Sequence, residues 1–343
     1  MSNFQLGLFV LGGVVLLGLL VHSAWSARVN TPKQAQESAP AVAAPQNEPT
    51  FEETSFGALE LHVHPLRRLH IDPLIDAVAP INLDPLAAEV TGEAALAAMP
   101  STRRVGTKPF SIEGFNSDLQ EWEAPVAGAR YSVFQAGVQL ANRNGALNDI
   151  EYSEFVVKAQ AFADAVGATP EFPEMRHEVA RARELDNFAS VHDAQLGLNL
   201  RARHASWSPG YVHQMAAQQG FVPGQLPGRM VMPAAVDGAP PLLSLTFDSQ
   251  AALAEDPAQS AIRELILHLD VPQVDRAEHP FARMCQAAQA MAQSMDGVVT
   301  DDNGQPLAPQ ALEGIARELQ RLYDMLDERD VAAGSTLARR LFS

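Results

Sequence analysis

Residues 281–312 read FARMCQAAQAMAQSMDGVVTDDNGQPLAPQAL. Phe281, Met284, Ala288, Met291 and Met295 recur at 3-4-3-4 intervals, the spacing that lays one apolar stripe along an α-helix. A short strand, Val298 to Asp302, follows and meets Asn303-Gly304, a dipeptide that favours a type I′ hairpin turn. Pro309 suits the first turn of a helix, and Leu312, Ile315, Leu319, Leu322 and Leu326 then repeat the helical stripe. Helix, strand, turn and helix in so short a run is α+β alternation. Two one-sided helices require a sheet face to bury against.

That sheet is legible upstream. In Leu265 to Val271 the residues Leu265, Leu267, Leu269 and Val271 share one face, which leaves Ile266, His268 and Asp270 on the other. Gln195 to His204 turns Leu196, Leu198 and Leu200 inward and Gln195, Gly197 and Asn199 outward. Leu226 to Met232 and Leu242 to Asp248 are further strands, and Pro209 to Gln219 is a short helix. Nearer the N-terminus, Pro109 to Phe115 and Tyr131 to Leu140 alternate with period two, and Thr91 to Met99 reads as a short helix. Asn148 with Glu151 forms a capping box for a helix through Phe155, Ala159, Phe162 and Val166, stopped at Gly167. Another helix is expected from Pro173 to Ala189. Leu74 to Leu83 reads as an irregular strand, placed at a sheet edge by Pro80.

AQAFADAVGA (159–168) resembles AQAMAQSMDGV (288–298), with a strand before and a Pro-started helix after in both places. This points to two copies of one α+β unit, at 58–191 and 192–330, against the alternative that Ala-rich helices look alike by chance. The tail, 331–343, is expected to be loose.

From Phe4 to Trp25 there is no Asp, Glu, Lys or Arg, so residues 4–25 are long enough to span a bilayer. No basic residue precedes the run, unlike a signal peptide, although Ser23, Ala24, Ser26 and Ala27 leave cleavage open. Arg28 and Lys33 follow it, and positive charge on that flank alone places the C-terminal side in the cytoplasm. Residues 1–28 are thus expected to be a single transmembrane anchor. Residues 29–57, rich in Pro, Ala, Gln, Glu and Ser, are expected to be a disordered linker that gives a globular module reach from the membrane.

The formal net charge is -17, from 41 acidic and 24 basic side chains, and so acidic a surface repels nucleic acid. One cysteine, Cys285, excludes an intramolecular disulfide, in keeping with a reducing compartment. His62, His64 and His70, with Asp72 and Asp76 near, have spacing that can hold a metal, but no Cys ligand or Glu-x-x-His accompanies them. Cys285 sits beside an apolar stripe, as a structural thiol would. No Gly-rich phosphate loop, G-x-S-x-G or H-E-x-x-H occurs. Nothing assembles a catalytic site. The residues predict no enzyme, no cofactor, no bound metal and no small-molecule substrate.

The strings QQGFVPG (218–224), PLLSL (241–245), LDVP (269–272) and the run 281–312, in this order behind an anchor and linker, resemble the ZipA family of bacterial cell-division proteins. The resemblance is strongest from Gln195 to Leu326 and does not extend to 58–191. It implies a C-terminal domain of split β-α-β type, an antiparallel sheet with three helices on one face. It also implies that the uncovered face takes the C-terminal tail of FtsZ, the tubulin-like polymer of the division ring, at the inner membrane, with a periplasmic N-terminus and a cytoplasmic C-terminal domain. The residues expected to line that groove are Gly197, Asn199, Leu226, Arg229, Thr246, Asp248, Ile266 and His268. His268 and Asp248 stand where the family carries apolar residues, and His268 would add a pH response near its reference value of about 6.5. A scaffold of the same fold with a different protein partner is the other reading.

Overall fold

The computed structural model describes residues 32–34, 71–84, 89–254, 256, 260–301 and 303–343. The apolar run 4–25, the histidines 62, 64 and 70, and most of the linker lie outside them. Among the described residues no helix is long and apolar enough to cross a membrane, and no group of His, Cys, Asp and Glu could hold a metal ion.

The chain divides into two compact units, with the boundary between Asp193 and Ala194 and with Thr336–Ser343 returned to the first. In the first unit β1 (Asp76–Leu83), α1 (Gly92–Ala98), β2 (Lys108–Asn116), β3 (Arg130–Gln139), α2 (Asp149–Val166), β4 (Ala168–Pro170) and α3 (Met175–His192) follow in order. Its sheet runs β2-β3-β1-β4, with antiparallel neighbours throughout. α2 begins at the expected capping box: Asn148 accepts from the amides of Ile150 and Glu151 while Glu151 reaches back. Gly167 closes it in the left-handed conformation, at φ 69°. Phe155 and Phe162 of α2 are fully buried and meet Phe110 and Phe134 of the sheet edge-on. α3 starts two residues later than Pro173, capped by Glu174.

In the second unit the order is β5 (Gln195–Ala202), α4 (Pro209–Ala217), β6 (Val222–Pro223), β7 (Arg229–Met232), β8 (Leu243–Phe247), β9 (Glu264–Asp270), α5 (Pro280–Met295), β10 (Gly297–Thr300) and α6 (Pro309–Glu328). Its sheet runs β6-β7-β8-β9-β5-β10, again antiparallel. β9, α5 and β10 form a split β-α-β unit, because β5 lies between the two strands that α5 connects. Set β1, β2, β3 and β4 against β5, β8, β9 and β10 and both sheets have the same neighbour order, with α2 and α5 as equivalent crossovers. The expected stripe is realised: Met284, Ala288, Met291 and Met295 of α5 are buried, as are Leu265, Leu267 and Leu269 beneath them. Leu319, Leu322 and Leu326 of α6 are buried too.

Four expectations give way. β1 is an interior strand, flanked by β3 and β4, although it carries Pro80. The Pro80 carbonyl accepts from Glu171 at 2.8 Å, and N–H and C=O of one residue point the same way in an antiparallel strand. The missing donor therefore faces the side where β4 has already ended, and the β1–β3 ladder loses nothing. The Asn303-Gly304 turn is not a two-residue type I′ turn: the Asp301 amide donates to the Gln305 carbonyl at 2.9 Å and the Gly304 amide to the Asp301 carbonyl at 3.0 Å, which leaves three residues inside the closing pair, with Gly304 at φ 77°. Asp301 organises it instead, accepting from the amides of Asn303 and Gln305 through its carboxylate.

The tail is not loose. α7 (Thr336–Leu341) belongs to the first unit, where Leu341 and Phe342 are fully buried and Arg340 pairs with Asp76 at 2.5 Å. Nor is the linker free along its whole length. At residues 32–34 it bridges to the second unit, Lys33 donating its amide to Ser206 at 2.7 Å and accepting from Ser208 at 2.9 Å. The Lys33 ammonium completes the dock on the Met295 carbonyl at 3.0 Å.

Candidate functional site

The helices of the second unit claim one face of its sheet, so the other is the candidate surface. Cross-strand register arranges its side chains in two rows. One row is Val222–Val231–Ser244–His268–Gly197, running across β6, β7, β8, β9 and β5. The next is Arg229–Thr246–Ile266–Asn199–Thr300, across β7, β8, β9, β5 and β10. Because side chains alternate strictly along a strand, these rows are opposite the buried Leu245, Leu265, Leu267 and Leu269.

Ile266 stands near the middle, partly exposed between Thr246 and Asn199. Beside it the surface dips at Gly197, where a Cβ would meet only the Ile266 Cγ2, at 3.7 Å. His268 borders the dip and shares a hydrogen bond of 2.9 Å with the Thr246 hydroxyl. Burial, with a smaller contribution from the Arg229 charge, holds the His268 imidazole below its ordinary value. It is therefore neutral at pH 7, and the pH response expected near its reference value moves to more acidic conditions. Asn199 is buried and donates to the Asp301 carbonyl at 3.3 Å, which closes that end of the face.

Leu226 is off the strand expected to hold it. It lies in the turn between β6 and β7, 61% exposed, and with Arg229, Val231, Val236 and Pro241 it lines a concavity of about 690 Å³ at the sheet edge. Arg229 and Val231 join this concavity to the two rows. Asp248 is not on the face. β8 ends at Phe247, and the Asp248 carboxylate turns away to cap a short helix, Ser249–Ala252, accepting from Gln250 at 2.9 Å.

Gly197, Asn199, Thr246, Ile266 and His268 are thus brought together, Leu226 and Arg229 stand at their edge, and Asp248 is elsewhere. Ser244 and Val231 were missed and lie on the face. Ser244 was within reach, being two residues before Thr246 in an alternating strand. Val231 was hidden because the β6–β7 turn interrupts the run read as one strand. The surface is a shallow face of mixed apolar and polar side chains.

Residues 246–318, from β8 into α6, match the family described as ZipA, C-terminal FtsZ-binding domain. That part of the chain is ZipA-like, and it includes Thr246, Ile266 and His268. No individual curated protein matches the chain.

Proposed function

From a ZipA-like domain whose sheet keeps one face open, we propose that this chain is an adaptor of bacterial cell division that binds the C-terminal tail of FtsZ. Residues 4–25 anchor it in the inner membrane, with a periplasmic N-terminus, and both units are cytoplasmic. In this reading it tethers and stabilises the division ring and catalyses nothing. The observation that carries the reading is the coincidence of the family match with an uncovered sheet face centred on Ile266 and the Gly197 dip.

In this reading the docked residue Lys33 bounds the reach from the anchor. Trp25 and Lys33 are 33 − 25 = 8 residues apart. At about 3.4 Å per extended residue, the Lys33 docking point lies within about 27 Å of Trp25.

A specific observation favours a second reading. Thr246, His268 and Asn199 make the face more polar than a purely apolar groove, and the Thr246–His268 hydrogen bond occupies its floor. A cytosolic partner richer in hydrogen-bonding groups would suit it. Binding of the FtsZ tail peptide against a scrambled control separates the readings. A cytosol-active reporter fused after Ser343 checks the topology: it should be active, and activity of an export-dependent reporter instead would overturn the localisation.

A further inference from the structure

The outer face of the first unit's sheet is built like the face just described, yet its glycine dip is covered. Register aligns Ser111–Gly137–Val78 and Glu113–Gln135–Pro80 across β2, β3 and β1. By position in the shared topology these rows correspond to Ser244–His268–Gly197 and Thr246–Ile266–Asn199. Each sheet therefore has a glycine dip in the same row, at Gly137 and at Gly197. The two differ in what covers them.

At Gly137 the dip is filled by Ile71. A Cβ on Gly137 would come within 2.8, 2.9 and 3.0 Å of the Ile71 Cγ2, Cγ1 and Cδ1, so the side chain is seated directly on the bare backbone. Ile71 is 4% exposed. Its amide donates to Glu113 Oε1 at 3.1 Å, and the other oxygen of that buried carboxylate accepts from Gln135 at 2.9 Å. The chain then turns into β1 through Asp72, whose amide donates to Asp76 at 2.8 Å. Ile71 is held by its β-branched side chain in a socket and by its backbone amide on a carboxylate. That is how a sheet face recognises a peptide.

We infer that the first unit carries a groove for an extended apolar segment, and that this groove is occupied by Ile71 of its own chain. The occupant lies five residues before β1. Among the described residues the glycine dip of the second unit is open and that of the first is filled from within. This holds whatever partner the second unit takes.

The test uses the full chain in detergent or bilayer. Ile71→Gly empties the socket without adding charge. A labelled peptide LRRLHI, corresponding to residues 66–71, should bind this variant saturably. It should bind wild type about tenfold more weakly or worse, because the site is already filled. The same peptide ending in Asp should not bind, and adding Ile266→Glu in the second unit should change nothing. A folded Ile71→Gly chain with no saturable peptide binding would overturn the inference, leaving Ile71 as a core residue only. Native-state hydrogen exchange on wild type is independent of any variant's folding: the Ile71 amide should exchange through a local opening while those of β3 stay protected. Exchange of Ile71 only together with β3 would also overturn it.

Discussion

The ion pair between Arg340 and Asp76 makes the strongest energetic prediction. Arg340 Nη2 lies 2.5 Å from Asp76 Oδ1, with the two side chains 9% and 2% exposed. The Arg340 carbonyl also accepts from Gln139 at 2.8 Å, and Leu341 and Phe342 are fully buried beside it. Arg340→Met keeps most of the side-chain volume and removes the charge, which strands a buried carboxylate on the single amide of Asp72. Breaking a buried pair from one side costs about 3–5 kcal/mol, much more than the net worth of the pair. The double variant Arg340→Met with Asp76→Asn removes the stranded charge and should recover most of that loss.

The pH dependence follows from the same contacts. Burial pushes Asp76 above the ordinary carboxylate range, and Arg340 opposes the rise. A carboxyl raised in the folded state favours folding at low pH, and that stability is lost as pH rises through its folded value. Without Arg340 the rise is larger, so the Arg340→Met deficit should be smallest near pH 4 and grow toward pH 7. Hydrogen exchange of β1 and β3 amides under graded denaturant reads the first unit by itself. A loss below about 1 kcal/mol, or a double variant as unstable as the single, would refute the reasoning.

Three further outcomes are expected. His268 and His213 are both held below the ordinary imidazole value by burial, so the unfolded chain takes up protons first and the second unit should lose stability as pH falls below about 6.5. His268→Gln should flatten that slope in part, and an unchanged slope in urea titrations would contradict the assignment. Lys33→Pro removes the amide that meets Ser206 and should cost about 1 kcal/mol, with faster exchange at the Ser208 amide, or none of either if the dock is not formed in solution. Gly304→Val forces a β-branched residue to φ 77° and should cost about 1–3 kcal/mol, whereas Gly304→Asn should cost far less; equal thermal midpoints would contradict this.

Local chemistry reached the sequence most clearly where it is self-contained. The capping box at Asn148 and Glu151, the left-handed Gly167 and the stripe of Met284, Ala288, Met291 and Met295 each depend on neighbours within a few residues. The alternation of Leu265, Leu267 and Leu269 was enough to place Ile266 and His268 on the opposite face. What escaped depends on distant partners. Pro80 suggests an edge until register shows that its missing donor falls beyond the end of β4. Asp248 continues the alternation of Thr246, yet the chain leaves the sheet one residue earlier to start a helix. The tail gave no period because α7 is six residues long, and what fixes it is a carboxylate at position 76. Lys33 sits in a low-complexity run and is placed by the edge at Ser206 and Ser208.

The central claim is that the open face of the second unit receives the FtsZ tail. Ile266 is partly exposed at its centre, so Ile266→Glu should shift stability by only about 0.5 kcal/mol while placing a charge where an apolar side chain must dock. A shallow face burying apolar area at about 25 cal/mol per Å² suits a dissociation constant in the micromolar range, about -8 kcal/mol. The decisive measurement is a titration of labelled FtsZ C-terminal tail peptide against the full chain, wild type and Ile266→Glu, with circular dichroism on both. Saturable micromolar binding to wild type, abolished in a folded Ile266→Glu chain, is the result expected; equal binding by both, or none by wild type, would contradict it.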